Sequence, residues 1–130
     1  MSSQASESVE RSAIANANAR GVLSLQFCPA CDRWNWFPRV ACPSCFSSAL
    51  EWRDASGEGR LLSVAVVQRT HHTDYEPHVP IVLVLILLDE GCEMVSTILG
   101  EDRLEATIGA RVRVATDGRW STLPQFELAP

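Results

Sequence analysis

The hydrophobic pattern changes its period twice along the chain. In "ESVERSAIANANARG", Val9, Ala13, Ile14 and Ala17 recur at helical spacing, and Gly21 stands where a helix would stop. A short helix ending near Arg20 is predicted. Its apolar face is thin, so it needs a surface to dock on. The preceding "MSSQASES" is polar and predicts a disordered start. From residue 22 the pattern loosens. "VLSLQF" and "NWFPRVA" alternate imperfectly, as short ribbon strands do, with little apolar mass between them.

From Glu51 a period of two takes over. "SGEG" is a turn, followed by the strand candidate "RLLSVAVVQRT". "HHTDYEPHVP" is a polar, proline-bearing loop. "IVLVLILLDEG" and "CEMVSTILG" read as a hairpin over residues 81–99. "EDRLEATIG" reads as a loop or a short helical turn. In "ARVRVATDG", Val112 and Val114 face one way and Arg111 and Arg113 the other. "LPQFELAP" can add a last strand. Four or five such strands suggest a small antiparallel barrel or sandwich. The predicted division is 1–21 for a disordered start and short helix, 22–50 for a cysteine ribbon, and 51–130 for the barrel.

The ribbon carries the chemistry. Cys28, Cys31, Cys42 and Cys45 form two C-x2-C pairs. A tight turn bearing such a pair sets two sulfurs on one side of an ion, and a second pair completes a tetrahedron. Four thiolates leave no position for water or substrate, so the site is structural, and zinc is the expected ion. Iron can use the same ligands. A thioredoxin-like redox pair would need a βαβ setting that is absent here. Metal binding would replace the core that a module of this size lacks.

The chain has 130 residues, a formal net charge of −5, and eleven cationic side chains, all arginine. No basic stripe is present, which counts against duplex binding, where phosphate neutralisation supplies most of the affinity. The longest apolar run, Val79 to Leu88, contains a proline and is too short to span a bilayer. No secretory signal is visible, so a soluble, cytoplasmic protein is expected. In that compartment paired cysteines are metal ligands or catalytic groups more often than disulfides.

Other residues admit functional readings. Trp34, Trp36 and Phe37 lie between the two cysteine pairs, where aromatic rings serve an interface or stack on a base. Arg39 follows Pro38 and is either solvated or holds a carboxylate or phosphate. His71, His72 and His78 share a loop with Asp74 and Glu76, at a spacing that fits no regular metal site. That loop is read as solvated, or as touching a partner or ligand. Cys92 reads as a buried, unreactive thiol. "SGEG" lacks the Lys and Ser or Thr of a phosphate loop, and no serine nucleophile motif occurs.

Taken in order, "CPAC", "FPRVACPSC", "EWRDASGEGRLLSVAVV", "VLVLILLDEG" and "IGARVRVATDG" resemble the zinc-ribbon plus OB-fold family long catalogued as a domain of unknown function, number thirty-five. The resemblance spans about residues 10 to 128. It implies a mainly β protein: a short N-terminal helix, a rubredoxin-like zinc ribbon, and a small antiparallel OB-fold barrel. It implies zinc on Cys28, Cys31, Cys42 and Cys45. It also implies an accessory role beside thiolase-like enzymes, acyltransferases, aldolases or acyl-CoA hydratases, with no catalysis by the chain alone. The partner-facing parts would be the helix around Ser12 to Arg20 and the ribbon through Trp34, Trp36, Phe37 and Arg39. The barrel would help build an acyl-CoA channel. Apart from the resemblance, and on no motif, Arg39 or Arg69 is expected to meet CoA phosphates through a bidentate contact. The chain departs from the family in its N-terminal helix, which lacks the aromatic residues often seen there, and after each cysteine pair. Glycine is usual after each cysteine pair, whereas Asp32 and Phe46 stand here, so the second knuckle is expected to be distorted. Two rivals remain open: a single-stranded nucleic-acid module, since ribbons and OB barrels both serve that purpose, and an enzyme using Cys92 or the histidine loop.

Overall fold

The fold comes from a computed structural model that describes residues 13–14, 16–17, 19–36 and 38–130. The polar start and Val9 lie outside these residues, as does Phe37. The expected helix is therefore only partly described. Ala13, Ile14, Asn16, Ala17, Ala19 and Arg20 have helical backbone, and Ile14 and Ala17 are buried. Among the described residues, no helix is long and apolar enough to cross a membrane.

Eight strands follow among the described residues. β1 (Leu23–Cys28), β2 (Arg33–Asn35) and β3 (Glu51–Ala55) form an antiparallel sheet in the order β2-β1-β3. This sheet runs across the expected 50/51 boundary. β4 (Glu58–Val67), β5 (Ile81–Leu88), β6 (Glu93–Leu99), β7 (Arg111–Val114) and β8 (Phe126–Leu128) close a barrel in the order β4-β5-β6-β8-β7. The expectation of a wholly antiparallel barrel needs correction, because β6 and β8 pair in parallel. The reason is parity. Directions that alternate around a closed ring of five strands cannot all be opposed, so one neighbouring pair must agree.

The barrel core consists of Leu61, Val82, Val84, Ile86, Leu88, Met94, Ile98, Val112 and Phe126. Leu23 and Leu25 of β1 join the same cluster, both fully buried. The ribbon is therefore less poor in packing than its sequence suggests. β1 is buried at all six positions because β2 and β3 flank it and the barrel takes its Leu23–Leu25 end. At the joint, the Arg20 guanidinium donates to both oxygens of Asp54, at 3.0 and 3.2 Å. The Ser56 N–H donates to Glu90 Oε2 at 2.8 Å, tying the turn before β4 to the turn after β5. Within the barrel, β4 and β5 approach so closely at Gly59 that a Cβ there would meet the Leu87 carbonyl oxygen at 2.6 Å.

Candidate metal centre

β1 ends at Cys28, and a turn through Pro29 carries the chain to Cys31. The second pair, Cys42 and Cys45, sits on a turn closed by two backbone bonds. Cys42 N–H donates to the Ser47 carbonyl at 2.9 Å, and Phe46 N–H donates to the Cys42 carbonyl at 2.8 Å. All four sulfurs lie within 4.8 Å of one another. The Cys28–Cys45 and Cys31–Cys42 separations are 3.5 and 3.6 Å. A disulfide needs about 2.05 Å, so these are free thiols. A tetrahedron with metal–sulfur bonds of about 2.3 Å has edges of about 3.8 Å, and the quartet fits it. Cys28 and Cys42 are buried, Cys31 is half-buried and Cys45 is exposed.

The electrostatics point the same way. Backbone N–H groups of Cys45 and Ser44 face the Cys42 sulfur, and its thiol is lowered to about 6. Burial, followed by its sulfur neighbours, pushes Cys31 up to about 12. Cys45 feels a lowering hydrogen bond from the Ser47 backbone, yet Cys28 and burial raise it overall. The Cys42 thiolate forms readily, and Cys31 and Cys45 resist ionising beside it. A divalent cation supplies the missing positive charge.

Both knuckles keep the left-handed turn. Asp32 has φ of 57° and Phe46 has φ of 64°, the only positive values among the described non-glycine residues. The expected distortion of the second knuckle is thus absent from its backbone. The Cys42–Ser47 and Phe46–Cys42 bonds hold the turn whatever residue occupies it.

The segment between the knuckles is clamped from β1. Gln26, 5% exposed, accepts from Arg39 N–H at 2.7 Å and donates to the Arg39 carbonyl at 3.0 Å. Its amide thereby replaces a strand at that point. The Arg39 guanidinium is exposed and makes no bond among the described residues. Trp34 and Trp36 are half-buried and pack against the core cluster, and Trp34 meets the edge of Phe27 at 5.2 Å. Arg53 lies 3.9 Å over the other aromatic partner, the Phe27 ring.

The histidine loop does something else. His78 stacks flat on Trp120 at 4.3 Å, His72 stacks on Tyr75 at 4.5 Å, and Tyr75 lies 5.7 Å from Trp120. Buried Gln125 holds the Trp120 segment, accepting from the N–H groups of Trp120 and Ser121 at 2.9 and 3.2 Å. Beside this aromatic ladder runs a groove of about 340 Å³ whose lining includes Ile81, Leu83, Val95 and Leu123. Val67 and Thr70, on either side of exposed Arg69, also line it. Among the described residues, the cysteine quartet is the one group arranged to hold a metal ion, and the histidines are not part of it. Cys92 is half-exposed just before β6, and burial, then the Glu90 charge, pushes its thiol up to about 11. At neutral pH it stays protonated and is a poor nucleophile.

Sequence reasoning missed Gln26 and Gln125. The available signal was a glutamine between Leu25 and Phe27 in "LSLQF"; for Gln125 there was none.

A family model described as "ChsH2, rubredoxin-like zinc ribbon domain" matches residues 15–51, and one described as "ChsH2, C-terminal OB-fold domain" matches residues 52–117. The zinc ribbon description gives no support to iron. The chain is 32% identical over 85 residues to the probable enoyl-CoA hydratase alpha subunit of Thermomonospora curvata. That match covers 64% of this chain and 26% of the relative, so the chain spans about a quarter of the relative's length. A solved structure described as "Ltp2-ChsH2(DUF35) aldolase" is 29% identical, with a TM-score of 0.69 over 87% of this chain and 89% of that one. A DUF35-family protein of unknown function from Sulfolobus solfataricus shares the fold at a TM-score of 0.63, with 14% identity over 89% and 82% of the two chains.

Proposed function

Because the chain belongs to the ChsH2 family of zinc-ribbon and OB-fold proteins, we propose that it is a non-catalytic, zinc-stabilised accessory subunit of an acyl-CoA-processing complex. The observation that carries this reading is the closed quartet. Four thiolates around one ion leave no open coordination position, so the centre holds a shape and performs no Lewis-acid step. Zinc is the ion, held by Cys28, Cys31, Cys42 and Cys45. The protonated Cys92 thiol supports the same reading.

In this proposal the partner is a thiolase-like enzyme, an acyltransferase or an aldolase. The helix before Arg20 and the ribbon segment through Trp34, Trp36, Phe37 and Arg39 dock on it. The clamp of Gln26 on Arg39 supports that role, because a fixed backbone lowers the entropy lost on docking. The barrel helps shape the acyl-CoA channel. Two guanidinium groups without a partner among the described residues, Arg39 and Arg69, offer contacts for CoA phosphates. The apolar groove bracketed by Val67 and Thr70 gives Arg69 a suitable setting.

Purification of the native complex, with metal analysis, tests the proposal. A single zinc per chain and a co-purifying acyl-CoA enzyme are expected. A protein that runs alone without metal, or one that turns over an acyl-CoA by itself, overturns it.

A further inference from the structure

The two knuckles differ in what they place in the left-handed turn. Asp32 is small and polar, and its short side chain tolerates that region. Phe46 is a bulky aromatic in the same conformation, and the residue is 80% exposed. Glycine would adopt this φ without the steric penalty and would leave no ring in water. Phe46 therefore carries two penalties at one position. The free chain gains nothing visible in return, since the ring makes no aromatic contact among the described residues. A strained residue that the surrounding fold holds in place points to a use in another state.

The surroundings say what that state is. Val40 is 74% exposed and lies two residues before Cys42, while Phe46 lies one residue after Cys45. Both exposed residues therefore flank the second cysteine pair, whose sulfurs lie within 4.8 Å of those of the first. Arg33, next to exposed Asp32 on the first knuckle, and Arg39, next to Val40, are exposed, with guanidinium groups that have no partner among the described residues.

We infer that Phe46 is an anchor, joined by Val40 on the other side of the second cysteine pair, that inserts into an apolar socket on a different protein whose carboxylates meet Arg33 and Arg39. Buried aromatic anchors dominate the energetics of such interfaces. A second copy of this chain is a poor occupant, because it carries the same net charge of −5 and would repel its twin. An anionic membrane is a poor occupant for the same reason. The inference rests on the accessory reading above and names the contact by which docking occurs.

Phe46→Gly and Phe46→Asn test it, since both residues accept a left-handed φ. The probe is the acyl-CoA enzyme that co-purifies with the wild-type chain, produced separately and titrated by calorimetry. Both variants are expected to keep their zinc and to melt no lower than wild type, yet to bind the enzyme roughly tenfold or more weakly. Binding at wild-type strength overturns the anchor and leaves the accessory reading standing. Lower melting, or zinc loss in both variants, means that the ring serves the free chain and also overturns it. Self-association of the wild-type chain that the variants abolish makes a second copy the occupant instead. A wild-type chain that binds no enzyme sinks the accessory reading and takes the anchor with it.

Discussion

Leu23 and Cys28 are the two ends of one strand, yet different physics holds each in place. Leu23 and Leu25 are buried in the barrel's core, where exclusion from water stabilises them. Cys28 is buried at the other end against three sulfurs that repel one another once ionised. Beyond it the knuckles expose Pro29, Pro43, Val40 and Phe46, so packing has little to offer there. The barrel is stable by area and the tip by coordination. Both regions use the same device to fix a loop: a buried glutamine, Gln26 in one and Gln125 in the other, holds a neighbouring backbone in place of a strand. Loops are positioned this way in each region, one carrying exposed Arg39 on the ribbon and the other half-buried Trp120 on the barrel.

Three experiments probe that contrast, the largest effect first. Cys28→Ser should release the metal, whose binding to such sites is worth roughly 10 kcal/mol or more. Hydrogen exchange should then lose protection over residues 28–47 and keep it in β5. Equal loss in β5 would break the contrast and make tip and barrel one cooperative unit. Phe126→Ala removes a fully buried ring from the core and should cost about 3–5 kcal/mol in denaturant unfolding. Because Leu23 and Leu25 share that core, zinc release should coincide with barrel unfolding in this variant. A tip that retains zinc after the barrel has melted would show that the quartet stands alone.

The smallest effect concerns the barrel's surface. Hydrogen bonding from Arg111 holds Asp89 below its usual carboxylate range, through two bonds of 2.9 Å. A depressed folded value adds stability above the unfolded pKa, and that stability is lost as pH falls through the folded one. The pair is nearly half-exposed, so the contribution is small. Asp89→Asn should lower the melting temperature slightly near pH 7 and not at all near pH 2. A difference that persists in acid would assign the effect to packing.

Spacing alone made the quartet legible, because two C-x2-C pairs ten residues apart admit few other uses. The β5–β6 hairpin was legible from its long apolar run and the turn at Glu90 and Gly91. Three features were not. The shared core is invisible because "VLSLQF" carries apolar residues without stating what they face. The left-handed φ of Phe46 contradicts the residue's own preference, and only the closed turn around Cys42 enforces it. The histidine loop reads as a polar segment, yet stacking on Tyr75 and Trp120 consumes two of its imidazoles, and Trp120 lies more than forty residues away in sequence.

The parallel pairing of β8 with β6 also sets the order in which the barrel can be completed. β4, β5, β6 and β7 leave the ribosome before β8, and β7 can pair with β4 as soon as it emerges. The facing edges of β6 and β7 must wait for residues 126–128. Until then the cluster that contains Phe126 stays open on one side, with Ile98 and Val112 lining the gap. The nascent chain is thus most vulnerable to unwanted strand pairing in the interval between its seventh strand and its eighth.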